Sequence, residues 1–300
     1  MIPQPKRVER RYPWWITLVI ALVLMALIPG VRDSVVQLWW LRKTAGPVHE
    51  ALRQKDISKA VRLAGEAVDQ GAPPAAVLGL MQVFVAESAP LEAAELGEKA
   101  LKRSDQAKDA LWINRIRMSV GDALMVADRP HDALRHYRAV TPDPLTEPVL
   151  WNNLAYAILL SHGDPDEAET LARKALAAVQ QRRAYGLSEA AVQDTLGWAL
   201  LHRGQYPEAH SLLLDAMHQS PGDPDVVWHA AVASWAVNDQ PTAAMLMRRA
   251  EELYRTKHRK PPVEFSVVQD RLRRNQPFDM SVLRGPDSQS GGQNKHVDTP

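Results

Sequence analysis

The chain has 300 residues, no cysteine, an apolar fraction of 46% and a formal charge of +1. The missing cysteines exclude a disulfide framework and any thiolate metal site. The near-neutral balance offers no basic face for nucleic acid, and the length suffices for one large domain or two small ones with a buried core.

The first predicted element is the uncharged run from Trp14 to Ile28, which follows Lys6, Arg7, Arg10 and Arg11. Extended to Val31, it makes roughly 27 Å of helix, close to the ~30 Å of a bilayer core. A cleaved signal peptide shares this layout, but Ile28-Pro29-Gly30-Val31-Arg32 lacks the small-x-small pattern of a cleavage site. The reading is an uncleaved transmembrane helix over 14–31 behind a basic flank, 1–13, with Trp14, Trp15, Trp39 and Trp40 suited to two interfacial belts. Four basic residues precede the run, and Arg32, Arg42 and Lys43 follow it. The positive-inside rule then puts the N-terminus in the cytoplasm and the rest of this single-pass chain outside the inner (plasma) membrane. Residues 32–44 form a juxtamembrane segment.

Beyond it the pattern is all-α, with alanine and leucine at three- and four-residue steps and Pro, Gly and Asp as punctuation. Helices are predicted near 45–54, 58–70, 74–86 and 91–102, two hairpins within 45–113. Internal repetition follows. Gly197, in Asp194-Thr195-Leu196-Gly197-Trp198, stands 34 positions before Ala231, in Trp228-His229-Ala230-Ala231-Val232. Ala209 and Ala243 match on the partner helices, as do Ala216 and Ala250, and Pro221 closes the first of the pair. Upstream, Trp151, Leu154 and Ala155 fall at the large, large and small positions, with Ala168 and Ala175 on the partner helix. Gly121, Leu124, Ala133 and Tyr137 match once more. Four units result, at about 114–147, 148–182, 190–223 and 224–257, with Arg183 to Glu189 inserted between the second and third. After Pro261-Pro262 an amphipathic, basic-faced helix over Val263 to Arg274 reads as a cap within 258–284, and the polar stretch 285–300 reads as disordered.

This code of small and large positions resembles the tetratricopeptide repeat (TPR) family, closely over 114–257 and loosely over 45–274. The resemblance implies an all-α solenoid of helix-turn-helix hairpins, here behind a single N-terminal transmembrane helix. It also implies a concave groove, lined by the first helix of each hairpin, that receives a protein or peptide partner. In this register the groove residues are Asn152, Asn153, Tyr156 and Leu160, then Asp194, Trp198, Leu201 and His202, then Trp228, Val232 and Trp235. Trp198 and Trp235 serve either the groove or the core, because a register shift of one residue turns a side chain by about 100°. Chaperone-binding members of the family use a carboxylate clamp, of which only Asn153 matches.

Enzyme signatures are missing from the sequence: no phosphate-binding loop, dinucleotide fingerprint, nucleophile elbow or His-Glu-x-x-His pair occurs. No catalytic residue, cofactor, metal or small-molecule substrate is indicated. Ser161-His162-Gly163-Asp164-Pro165-Asp166-Glu167 reads as a capped turn, with Asp164 as cap and Pro165 at the first helical position. His131 and His136 lack the spacing of a helical metal pair. His202 and His229 lie on first helices, where a pH-sensitive contact would face the groove. The expected function is a membrane-anchored scaffold for assembly, secretion or polymer export at the cell envelope. Two alternatives are a periplasmic chaperone-like subunit near a protein translocon and a cytoplasm-facing TPR regulator of envelope biogenesis. The regulators of lipopolysaccharide synthesis with that layout carry a cysteine-based zinc module, which this chain lacks.

Overall fold

The computed structural model describes residues 29–104, 110–141, 147–182 and 186–283. Among them every regular element is helical, and there is no strand. The run from Trp14 to Ile28 and the tail 285–300 lie outside the described residues. No helix among the described residues is long and apolar enough to cross a membrane. The chain divides into two compact units, 1–123 and 124–300.

In the first unit the helices are α1 (Pro29–Arg53), α2 (Ile57–Asp69), α3 (Pro74–Ala86), α4 (Pro90–Ser104) and α5 (Ala110–Val126), whose last turn crosses the boundary. The juxtamembrane residues 32–44 are the first half of α1. Nothing between Val31 and Ala45 breaks a helix, and Pro29 occupies the first helical position, where its missing N–H is no loss. Asp56 caps α2 by accepting from the Lys59 amide at 3.0 Å. Gly97 lets α4 approach its neighbours, since a Cβ there would lie 2.4 Å from Val120 Cγ2 on α5 and 2.8 Å from Met81 Cε on α3. Lys99 donates to the Gly65 carbonyl at 3.1 Å and Arg103 to that of Val68 at 2.9 Å. Cations thus meet carbonyls at the C-terminal end of α2, where the helix dipole favours them.

The second unit continues with α6 (Pro130–Arg138), α7 (Glu147–Leu160), α8 (Pro165–Gln180), α9 (Glu189–His202), α10 (Tyr206–Gln219), α11 (Pro224–Ala236), α12 (Gln240–Thr256), α13 (Phe265–Arg273) and a 3₁₀ turn, Met280–Leu283. Helices α7/α8, α9/α10 and α11/α12 pair as hairpins, and the first helices α7, α9 and α11 lie side by side. Side chains of Asp164, Ser188, Asp223 and Asp239 cap α8, α9, α11 and α12. Small residues set the closeness of the hairpins: a Cβ on Gly197 of α9 would fall 2.6 Å from Leu213 Cγ of α10. Between hairpins, Glu169 of α8 is buried against Arg173 and against Arg203 of the next turn. Burial alone would raise its carboxyl, but the two guanidiniums outweigh that and hold it below the usual range.

Six of the inter-helix turns among the described residues close alike. Lys55, Ser88, Asp128, His162, Gly204 and Asn238 adopt positive φ, between 53° and 79°. Each donates its N–H three residues back, and the following residue donates five back, as Asn238 does to Trp235 and Asp239 to Ser234, both at 2.9 Å. This is the Schellman ending of a helix. The α1/α2 and α3/α4 hairpins therefore share the turn of the later ones, although their sequences keep little of the packing code.

Candidate functional site

The site is built on the face shared by α7, α9 and α11. Asp194 of α9 and His229 of α11 are both buried, and His229 Nδ1 lies 2.9 and 3.0 Å from the two carboxylate oxygens. With Nδ1 protonated, the imidazole donates to Asp194. Its ring stacks on Trp198 at 4.1 Å and 23°, and Tyr156 of α7 meets it edge-on at 6.2 Å. His202 closes the other edge of Trp198 at 5.1 Å. Burial opposes the imidazolium, yet the Asp194 carboxylate prevails and lifts His229 above its ordinary value. Burial, with Asp225 and Asp194 nearby, pushes the Tyr156 hydroxyl well up, so it stays a neutral phenol.

A second polar group stands beside it. The Tyr254 hydroxyl donates to Asp225 Oδ1 at 2.5 Å, and Arg259 pairs with the other oxygen. Burial first, then the Asp225 charge, raises the Tyr254 hydroxyl far beyond its usual range. Among the described residues no group of three or more His, Asp or Glu is placed to hold a metal ion.

The C-terminal segment closes the α11 end. Trp228 packs against Phe265 of α13 at 5.1 Å, and Phe265 meets Tyr254 edge-on. The Trp235 indole N–H donates to the Gln276 carbonyl at 2.9 Å, and Gln240 Nε2 approaches the same oxygen at 3.3 Å. Phe278 then sits edge-on to both Trp235 and Tyr206, at 5.0 and 5.3 Å. Trp228 and Trp235 are only 1% exposed. Their expected place on an open groove is thereby corrected: an indole has area enough for a partner, but here the chain's own aromatic side chains and backbone take it up. Trp198 is likewise buried, under His229 and His202.

The remaining expected residues divide. Asn153, Tyr156 and His202 are half-buried and Leu160 is exposed, while Asn152 is buried. Asn152 Nδ2 approaches Asn153 Oδ1 at 3.4 Å, but Asn152 Oδ1 has no hydrogen-bond partner among the described residues. The turn before α8 is the cap that its residues predict, with Asp164 accepting from the Asp166 amide at 3.0 Å.

Residues 146–217 match the family model described as Tetratricopeptide repeat. That stretch covers the two hairpins α7/α8 and α9/α10. No curated protein matches the chain by sequence. Several solved structures share the TPR-like fold of helix hairpins. The APC/C hetero-tetramer Cut9–Hcn1 is 18% identical with a TM-score of 0.53, and the match covers 74% of this chain and 40% of that one. PilF of Pseudomonas aeruginosa is 18% identical with a TM-score of 0.50, over 79% of this chain and 98% of the other. A kinesin light chain from Podospora anserina aligns at 18% identity and a TM-score of 0.45, over 61% and 95%.

In the 34-residue register of the sequence, Asn152, Asp194 and Trp228 occupy one position, three before the small residue, and Asn153, Thr195 and His229 occupy the next. The Asp194–His229 pair thus joins adjacent positions of consecutive repeats, 35 residues apart. That offset, one more than the repeat period, was the available signal for the pairing. Gln276 and Phe278 had none, because they lie beyond the helix that the amphipathic pattern marks.

Proposed function

We propose that the protein is a non-catalytic, membrane-anchored scaffold. It holds a protein or peptide partner on the face of α7 and α9, around Asn152, Asn153, Tyr156, Leu160 and His202. The observation that carries this reading is the exposure of this face: Asn153 and Tyr156 of α7 and His202 of α9 are half-buried and Leu160 is exposed, whereas Trp228 and Trp235 of α11 are covered. An extended peptide laid across this face buries these side chains and meets the half-buried Asn153 amide. Tyr156 beside it offers the rigid amphipathic area that binding hot spots favour. The uncharged run Trp14 to Ile28, behind four basic residues, supports a single span over 14–31 in the inner membrane. The N-terminus is then cytoplasmic and the helical hairpins extracytoplasmic, serving assembly, secretion or polymer export at the envelope.

The test is cross-linking and co-purification of the full chain from native membranes, comparing wild type with Asn152→Leu and Tyr156→Ala. Loss of a specific partner from variants that keep wild-type helicity supports the reading. An unchanged partner set overturns the docking surface. Release of the chain from membranes by alkaline carbonate overturns the anchor.

A further inference from the structure

Exposed large apolar side chains elsewhere in the described chain stand mostly alone, as on any protein surface. On α1 they cluster: Val35, Val36, Leu38 and Trp39 are 59%, 42%, 65% and 53% exposed within five residues. The first half of α1 has no buried side chain among those described, and burial against α2 and α3 begins at Val48. Val35, Leu38, Trp39 and Arg42 follow the i, i+3, i+4, i+7 spacing of one helix face. One turn past Trp39, the Lys43 ammonium lies 4.7 Å from the Trp39 ring centre and 5.4 Å from that of Trp40. An apolar stripe that ends in tryptophan and cations is the composition of a helix seated among lipid headgroups.

We infer that the part of α1 from Ser34 to Lys43 lies along the membrane surface, with Val35, Leu38 and Trp39 in the acyl boundary and Arg42 and Lys43 at the phosphates. The inference rests on the anchor reading. What selects lipid as the occupant is chain continuity, since α1 starts one residue after the uncharged run ends at Ile28. Distance then selects the orientation. On a straight axis at about 1.5 Å per residue, Trp39 would stand roughly 12 Å beyond Val31, the end of the span, and past a headgroup layer of about 5–8 Å. The stripe reaches lipid only if α1 is inclined to the surface. An α1 that lies on the surface also holds the first unit, into which it packs, close to the bilayer.

The absence of native cysteine permits a direct test on the full chain. Single-cysteine variants Leu22→Cys, Val35→Cys, Leu38→Cys and Arg62→Cys are spin-labelled and reconstituted in phosphatidylcholine/phosphatidylglycerol vesicles. Collision rates with oxygen and with a water-soluble nickel chelate are measured, after circular dichroism confirms the helicity of each variant. The expected result is an oxygen-to-nickel ratio at positions 35 and 38 several-fold above that at 62, and below that at 22. If 22 reads as lipid while 35 and 38 read as water, the anchor stands and the surface helix is overturned. If 22 reads as water, the anchor itself fails and the inference falls with it. Dipolar broadening at 38 with a low oxygen ratio assigns the stripe to a second copy of the chain and also overturns it.

Discussion

At α11 the first-helix face is covered by the chain itself, with Trp228 and Trp235 beneath Phe265 and Phe278, whereas on α7 Tyr156 is half-buried and Leu160 exposed. The two helices carry the same repeat positions, so register alone does not separate a surface for partners from one that serves folding. The position three before the small residue shows why. It is Trp228 at the closed end, Asp194 in the middle and Asn152 at the open end. The tryptophan is consumed by apolar packing and the aspartate by His229, while the asparagine keeps an unused acceptor.

Trp235→Ala should break the closed end most severely. Removing a fully buried indole and its hydrogen bond to Gln276 is expected to cost about 3–5 kcal/mol, seen as a lowered urea midpoint without loss of helix content in the native baseline. Gly197→Ala comes next, at about 1–3 kcal/mol of overpacking, because the new methyl meets Leu213. If it proves neutral, the hairpin core is looser than the contact implies.

His229→Gln sharpens the comparison through pH. The native imidazole titrates above its ordinary value, so the stability it contributes is fully present below about pH 6.5 and is lost as pH rises through the folded value. The gap between wild type and variant, about 1–3 kcal/mol at its largest, should narrow on the alkaline side of that window. A gap that widens there would contradict the Asp194–His229 pair. Asn152→Leu, at the open end, should be near neutral or slightly stabilising, within about 1 kcal/mol, since it removes an unsatisfied buried acceptor. Leu160→Ser should change stability least, by about 0.5 kcal/mol.

Much of the second unit was legible because its packing code is local and periodic. Gly197, Ala231 and their partner alanines must be small where helices cross, and the capping role of Asp164 follows from side-chain chemistry alone. The fate of the tryptophans was not legible. Whether Trp235 faces a partner or the chain's own backbone depends on where residues 276–283 run, and no periodicity reports the path of a non-helical segment. The kinship of the early hairpins was hidden for a related reason. Lys55 and Ser88 adopt the same positive φ as Gly204, but a left-handed residue at a helix end need not be glycine or asparagine, so the sequence there carries no mark of it.

On the proposed reading, the open end of the face at α7, and not the closed end at α11, meets the partner. This placement is tested most directly by placing a photo-cross-linking amino acid at 156, 160 or 235 of the full chain in cells. Specific adducts from 156 and 160, with none from 235, are the expected result. Adducts from 235, or none from 156 and 160 in a chain that is folded and in its native membrane, would contradict it.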